Sequence, residues 1–503
     1  MNLGRAVVKQ ANPPHKGTIV SGPLANMADI SRPQLCIVGA GALGIALAQH
    51  ARTLGARVVL VDRGMVEPGD GPQRSLQVAS IAASAAQVWA MRNGSRLGLN
   101  SVDPKVNMKG IEERARQVAA DRAPLDSRDR LKALGIEVVA GTPHFIDAAT
   151  LAVGEMHIRP QAFVLALGGA DATPAIPGLE EAGFFTSDSL LDNTRKLTHL
   201  LVIGSDPEGL ALAQAYRRLG SAVTVVPQGP ALPGFDIETA SILMQALADE
   251  GLRILDGASL RSVQPRSQGI GAVVALTDGS EMSLDLSHIL VSTGRSAGLD
   301  TLGTEQARLR PVKGQGGRFA TGPLGQTSNR VIRVVGPAAG MDQWHKALAH
   351  GRSVVEALIL GGPRGRQVDQ PRLVGTEPAL AQIGRFPANP AKLAPGHQIL
   401  RANLAENDMA RVRDQAAGLI KVLVDPKGRI LSASVVGPGA SDLAGVLSLF
   451  INGVQDLDDL ARMPLPQPSF LSSLRDLGEN QLAGRRVSSL VKYRGALKRL
   501  LRL

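Results

Sequence analysis

The segment Leu35 to Asp62, LCIVGAGALGIALAQHARTLGARVVLVD, constrains this chain more than any other. An apolar run, Leu35 to Val38, enters the turn Gly39-Ala40-Gly41-Ala42-Leu43-Gly44. A helix-like stretch follows to Leu54, and a second strand, Arg57 to Val61, ends on Asp62. Strand, glycine turn, helix, strand and acid make one βαβ unit with G-x-G-x-x-G spacing. Gly39 allows the tight turn. Gly41 lets a pyrophosphate approach N–H groups at a helix N-terminus. Gly44 lets helix and strand pack closely, and Asp62 can accept hydrogen bonds from a ribose. An ordinary βαβ crossover would need neither the three glycines nor the acid.

The pattern recurs. Leu200 to Pro227, LLVIGSDPEGLALAQAYRRLGSAVTVVP, matches it position by position, with Gly204 for Gly39 and Gly209 for Gly44. Each unit runs 23 positions from first glycine to terminal residue. Two such units predict two related α/β domains, the second inserted within the first.

The remaining pattern fills in around them. Helices are expected over Ser75 to Met91 and, as one amphipathic element, Ile111 to Leu134. Strands are expected at Glu137 to Val139, Leu151 to Val153 and Phe163 to Leu167, the last meeting Gly168-Gly169. Gly257 to Leu290 reads as strands and turns of the second domain. Ile289 to Arg295 and Arg333 to Gly340 read as strand-then-loop elements returning to the first. Trp344 to Leu360 reads as a helix. Beyond the Gly/Pro/Arg-rich linker, Gly361 to Pro371, the pattern becomes α+β. A hairpin, Leu419 to Val424 with Ile430 to Val436, precedes helices at Ala444 to Asn452 and Leu457 to Arg462. The domains expected are 34–196 with 289–360, 197–288, and 371–480. They lie between a flexible basic tail, 1–33, and a second basic tail, 481–503.

Composition narrows the functional classes. At 44% apolar content the chain can build a core, and at 3% aromatics it lacks a stacking surface for single-stranded nucleic acid. No specific nucleic-acid partner is expected. The only cysteine, Cys36, lies in the first strand, so an intrachain disulfide and a cysteine metal cluster are both excluded. No His/Cys pattern suggests a metal site, and no apolar run reaches transmembrane length. A cytoplasmic protein, peripheral to a membrane at most, is expected. The stretch Arg485 to Leu503 has seven Lys/Arg and no acid, with Leu490, Leu497 and Leu501 at helical spacing. Anionic lipid, an acidic partner, or simple packing on its own domain would each suit it.

The ordered motifs together resemble the flavin-dependent pyridine nucleotide–disulfide oxidoreductases, such as dihydrolipoamide dehydrogenase, glutathione reductase and mercuric reductase. The matches are the unit at Gly39, Ala166-Leu167-Gly168, the unit at Gly204 and Thr293-Gly294-Arg295. Two more are Trp344-His345-Lys346-Ala347 with Gly351, and Thr376-Glu377-Pro378-Ala379-Leu380-Ala381-Gln382-Ile383-Gly384. The resemblance implies two nested Rossmann-like FAD/NAD(P)-binding domains, a C-terminal α+β dimerisation domain, and a homodimer. It implies FAD at Gly39, Gly41, Gly44, Asp62, Gly168, Arg295 and Gly336, and NAD(P)H at the second unit.

The departures are chemical. The family's redox-active C-x-x-x-x-C pair aligns with Pro72 and Gln77, and its C-terminal His-Pro and Glu align with Gln467-Pro468 and Ser472. None of these residues forms a thiolate or titrates as a general base near neutrality. In the second unit Asp206 replaces the middle glycine and Pro227 the ribose acid, so ordinary NAD(P)H binding is not expected. Asp206 is expected to cap the helix starting near Glu208. At the flavin end, Leu167 and Gly336-Pro337 replace a threonine and a Gly-Asp. His345 is expected to be a packed structural residue. The function expected is FAD-dependent electron transfer to a non-disulfide acceptor such as a quinone. The alternative is a non-catalytic, flavin-binding or scaffolding dimer.

Overall fold

The computed structural model describes residues 30–63, 72–297, 302–313, 317–362, 369–387, 389, 393–453 and 455–484. Residues 64–71, most of both basic tails and part of the Gly361–Pro371 linker lie outside these.

The first unit is a five-stranded parallel sheet. In spatial order its strands are Ile332–Val334, Ala162–Leu165, Leu35–Val38, Val58–Asp62 and Glu137–Ala140. Its central strands are buried throughout, which is why they read as unbroken apolar runs. Helix α1 (Ala42–Thr53) crosses from Leu35–Val38 to Val58–Asp62. Two long helices follow, α2 (Pro72–Arg92) and α3 (Met108–Ala120).

The helix expected from Ile111 to Leu134 is broken. After α3 the chain makes a single 3₁₀ turn, Ala123–Asp126, and then the short α4 (Arg128–Ala133). Pro124 lacks the N–H a continuous helix needs, and Ser127 starts α4 afresh by accepting from the Arg130 N–H. The strand expected at Phe163 to Leu167 ends at Leu165.

The short α5 (Leu179–Ala182) precedes the second unit. Its five-stranded parallel sheet runs Phe185–Thr186, His288–Val291, His199–Ile203, Ala222–Val226 and Arg253–Ile254. Helices α6 (Pro207–Arg218) and α7 (Ile237–Asp249) flank it, and a three-stranded meander, 259–286, covers its other side. Ile289 to Val291 thus belongs to the second sheet, and the return to the first unit begins later. That return strand, Arg295–Ala297, pairs antiparallel with the outgoing strand, Gly169–Asp171. The two chain crossings between the units are therefore hydrogen-bonded to each other.

Helix α8 (Trp344–Leu360) has the bounds expected from sequence and packs on α1, where Gly351 leaves room for Leu47. The C-terminal domain is an antiparallel sheet ordered Arg372–Val374, Ala379–Ile383, Ile430–Gly437, Leu419–Val424 and Gln398–Asn403. With it go α9 (Asp408–Val412), α10 (Ala440–Asn452), α11 (Leu457–Ala461) and α12 (Ser472–Gly484). The helix expected at Ala444 begins a turn earlier, at Ala440.

Second and C-terminal domains share a core: Val374, Leu380, Leu419 and Val436 pack in one cluster with Leu210, Leu243 and Val225. Buried ions reinforce the junction. Lys421 Nζ reaches Asp236 at 2.6 Å and Glu238 at 2.9 Å. Arg218 pairs with Glu250 at 2.8 Å and Glu377 at 2.5 Å. Gln214 holds the backbone of Glu377 from both sides.

Candidate functional site

The two glycine turns have the same backbone and opposite chemistry. In the first, Gly39 takes a left-handed φ of +111°, and its N–H donates to the Val61 carbonyl at 3.0 Å. A Cβ there would stand 2.5 Å from the Ala166 carbonyl oxygen, and one on Gly44 would stand 1.8 Å from that of Gly39. Neither position accepts a larger residue. Gly41 is the N-cap of α1, and no side chain caps it. The first turn of α1 carries no acid. Helix N-termini present orphan N–H donors and a partial positive charge, and in this one no side chain caps them. Gly336, at φ +72°, opens a 3₁₀ turn beside it, and a Cβ there would meet Leu43 at 2.8 Å.

Asp62 ends the second strand as expected, only 2% exposed. Its carboxylate is paired with Arg128, the first residue of α4. A ribose would share this acid with the guanidinium. The pairing was not legible, because Arg128 appeared to sit mid-helix.

In the second turn Gly204 repeats the left-handed geometry at φ +103°, close under the Ser292 carbonyl. Here Asp206 is the N-cap of α6, as expected. Its Oδ1 accepts from the Glu208 N–H at 2.9 Å and the Gly209 N–H at 2.8 Å, while its Oδ2 accepts from Ser292 Oγ at 2.6 Å. Burial pushes the Asp206 carboxyl above the ordinary aspartate range, against the hydrogen bonds from Ser292, Gly209 and Glu208. Gly209 packs on Ser292, and Pro227, buried after the following strand, has no side-chain acceptor.

A charge network joins the units. Arg74, on the first turn of α2 and 8% exposed, pairs with Glu208 of α6 and with Asp188. Arg295 pairs with Asp188 at 3.2 Å and Asp171 at 3.5 Å and donates to the Gly169 carbonyl. Asp171 also accepts from the Ser187 N–H and Oγ, both at 2.7 Å. The structure therefore places Arg295 at the crossing of the two units, in ion pairs. Sequence reasoning missed Arg74 altogether; only its partners, 114 to 134 positions away in the chain, reveal it.

Of the positions aligned by sequence with the family's catalytic groups, two lie on α2 and two in the C-terminal domain. Pro72 begins α2 and Gln77 is buried one turn further along it. Gln467 is exposed before a cis peptide to Pro468. Ser472 begins α12, donating to the Ser469 carbonyl at 2.8 Å and accepting from Asn407 at 3.0 Å. Cys36 is fully buried, and burial pushes its thiol far up. His345 contacts the Pro371 carbonyl at 2.5 Å, a packed role. Among the described residues no cluster of three His, Cys, Asp or Glu could hold a metal, and no helix is long and apolar enough to cross a membrane.

Two nested dinucleotide units whose connecting strands pair with each other, joined to an antiparallel C-terminal domain, define the architecture of a two-nucleotide oxidoreductase. Residues 33–351 match the family model described as pyridine nucleotide-disulphide oxidoreductase, and residues 370–477 match that family's dimerisation domain. The chain belongs to this family. It is 27% identical to a mercuric reductase of Streptomyces lividans over 454 residues, 88% of this chain and 94% of the relative. It is 27% identical to a dihydrolipoyl dehydrogenase of Geobacillus stearothermophilus over 443 residues, covering 84% and 91% of the two chains. The fold matches that of the HOCl-induced flavoprotein disulfide reductase RclA from Escherichia coli. That match has a TM-score of 0.75 at 21% identity, over 89% of this chain and 99% of RclA. Membership supports FAD as cofactor and a homodimer as assembly, and the uncapped N-terminus of α1 fits the pyrophosphate of FAD.

Proposed function

We propose that this chain is a FAD-dependent homodimeric oxidoreductase that has given up dithiol–disulfide exchange and passes reducing equivalents to a non-disulfide acceptor such as a quinone. The observation that carries this reading is the single cysteine, sealed in the central strand of the first sheet with its thiol held protonated by burial. Disulfide exchange needs an accessible thiolate and a partner sulfur, and Pro72, Gln77, Gln467 and Ser472 offer neither thiolate nor base.

FAD, when bound, supplies the two-electron chemistry; the protein supplies position and electrostatics. Gly39 and Gly44 hold the turn, Gly41 leaves the α1 N–H groups open to the pyrophosphate, and Gly336 leaves space beside Leu43. Asp62, oriented by Arg128, meets the ribose. A cytoplasmic protein touching anionic membrane through Arg485 to Leu503, outside the described residues, completes the proposal.

The purified protein is expected to be yellow, and its chemically reduced flavin is expected to be reoxidised anaerobically by a water-soluble quinone. Lipoamide, glutathione disulfide and mercuric ion are expected to give no turnover above a blank. A colourless protein that FAD cannot reconstitute, or turnover of a disulfide, would overturn the proposal. A second reading is favoured by the Asp206 cap: a flavin-binding scaffold without turnover. Stable bound flavin that no quinone reoxidises would establish it.

A further inference from the structure

We propose that Asp206 is a built-in anion that fills the phosphate cradle of the second unit, so that this chain excludes NAD(P)H from that turn. The proposal deepens the reading above, concerns nucleotide binding at the second turn alone and includes no electron-transfer step.

The cradle is present and occupied from within. A phosphate at a glycine turn takes the N–H groups of the first helical turn. In the first unit those groups project past a glycine, with no side chain on them. In the second they are spent on one carboxylate: the Glu208 and Gly209 N–H groups hold Oδ1 at 2.9 and 2.8 Å. Ser292, 1% exposed, holds Oδ2 at 2.6 Å and locks the side chain over the turn. Asp206 therefore takes the donors that a pyrophosphate would need.

The surroundings oppose a second anion. Four carboxylates, Asp171, Asp188, Asp206 and Glu208, face two guanidiniums, Arg74 and Arg295, at this junction. A dinucleotide pyrophosphate would add negative charge to a cluster already in excess of it, at contact distance from Asp206. The Arg74 bridge also ties the start of α2 to the start of α6.

The test titrates NADPH and NADH separately, by calorimetry, into the full chain as purified, whether or not it carries flavin, and into Asp206→Gly and Asp206→Ser. Serine caps a helix without charge, so Asp206→Ser retains the fold even if Asp206→Gly loosens α6. Wild type is expected to show no saturable binding up to about 1 mM, and each folded variant to gain at least about tenfold in affinity. Pro227 is common to all three proteins, so its missing ribose contact cancels in the comparison. Micromolar binding of either nucleotide by wild type, or no gain in two variants with native circular dichroism, would overturn the proposal. These outcomes are independent of the flavin: a colourless protein defeats the FAD reading, whereas nucleotide binding to wild type defeats this one.

Discussion

Replacing Gly41 by aspartate tests whether the N-terminus of α1 is the anion site, because it imposes the second unit's chemistry on the first. Gly41 has φ −66° and ψ 175°, nearly the −65° and 159° of Asp206, so aspartate enters without backbone strain. In Gly41→Asp the carboxylate should accept from the first-turn N–H groups of α1. The cap contributes a few tenths of a kcal/mol relative to glycine, and the helix dipole adds about 0.3–1 kcal/mol. The apoprotein should therefore melt at an equal or slightly higher temperature. Flavin binding should move the other way. One unit charge about 4 Å from another, at an effective dielectric near 20, costs about 4 kcal/mol, or roughly a thousandfold in affinity. The pyrophosphate carries two charges and also loses its donors. The assay pairs FAD titration by fluorescence quenching with thermal melts of the apoprotein. Gly41→Ser, a neutral cap, should fall between wild type and Gly41→Asp. A folded Gly41→Asp protein binding FAD within tenfold of wild type would refute the assignment of this turn as the pyrophosphate site.

Three further outcomes are expected. Lys421→Ala should destabilise the protein by about 3–5 kcal/mol in urea unfolding, because it strands the Asp236 carboxylate against which Lys421 is buried; Lys421→Met with Asp236→Asn, which removes the charge but keeps the N-cap of α7, should recover part of the loss. Glu238 is held down to about 2 by hydrogen bonds from Arg401 and Lys421, so its contribution is fully present above about pH 4.5 and lost as pH falls toward 2. With its side chain 38% exposed, it should be worth no more than about 1 kcal/mol, and the stability gap between wild type and Glu238→Gln should close as pH falls toward 2. Deleting Arg485 to Leu503 should abolish sedimentation with anionic liposomes at low salt, and undiminished binding would dismiss the tail as a membrane contact.

Much of the fold was legible because it is local. The glycine turns, the uninterrupted apolar strands and the register of α8 each depend on residues a few positions apart, and their bounds hold to within a turn. Asp206 followed by Pro207 was a readable cap, since proline at the first helical position costs no hydrogen bond. The break at Pro124 was also local, but the amphipathic pattern on either side concealed it. What could not be read were partnerships made by the tertiary fold. Arg128 reaches back 66 positions to Asp62, Ser292 reaches 86 to Asp206, and Arg74 reaches 134 to Glu208. No spacing rule connects such residues, and they decide whether each turn is open or filled.

The shared core between the second and C-terminal domains, with Lys421, Arg218 and Gln214 spanning it, has a consequence for how the chain comes apart. Two domains that share apolar side chains and buried ions cannot unfold one at a time without exposing both. They should therefore melt as one cooperative block, and that block takes in α2 and α3 as well, because Ile81, Ala85, Val88, Met108 and Ala115 pack in the same cluster. Calorimetry of the apoprotein should therefore resolve no separate transition for the second or the C-terminal domain.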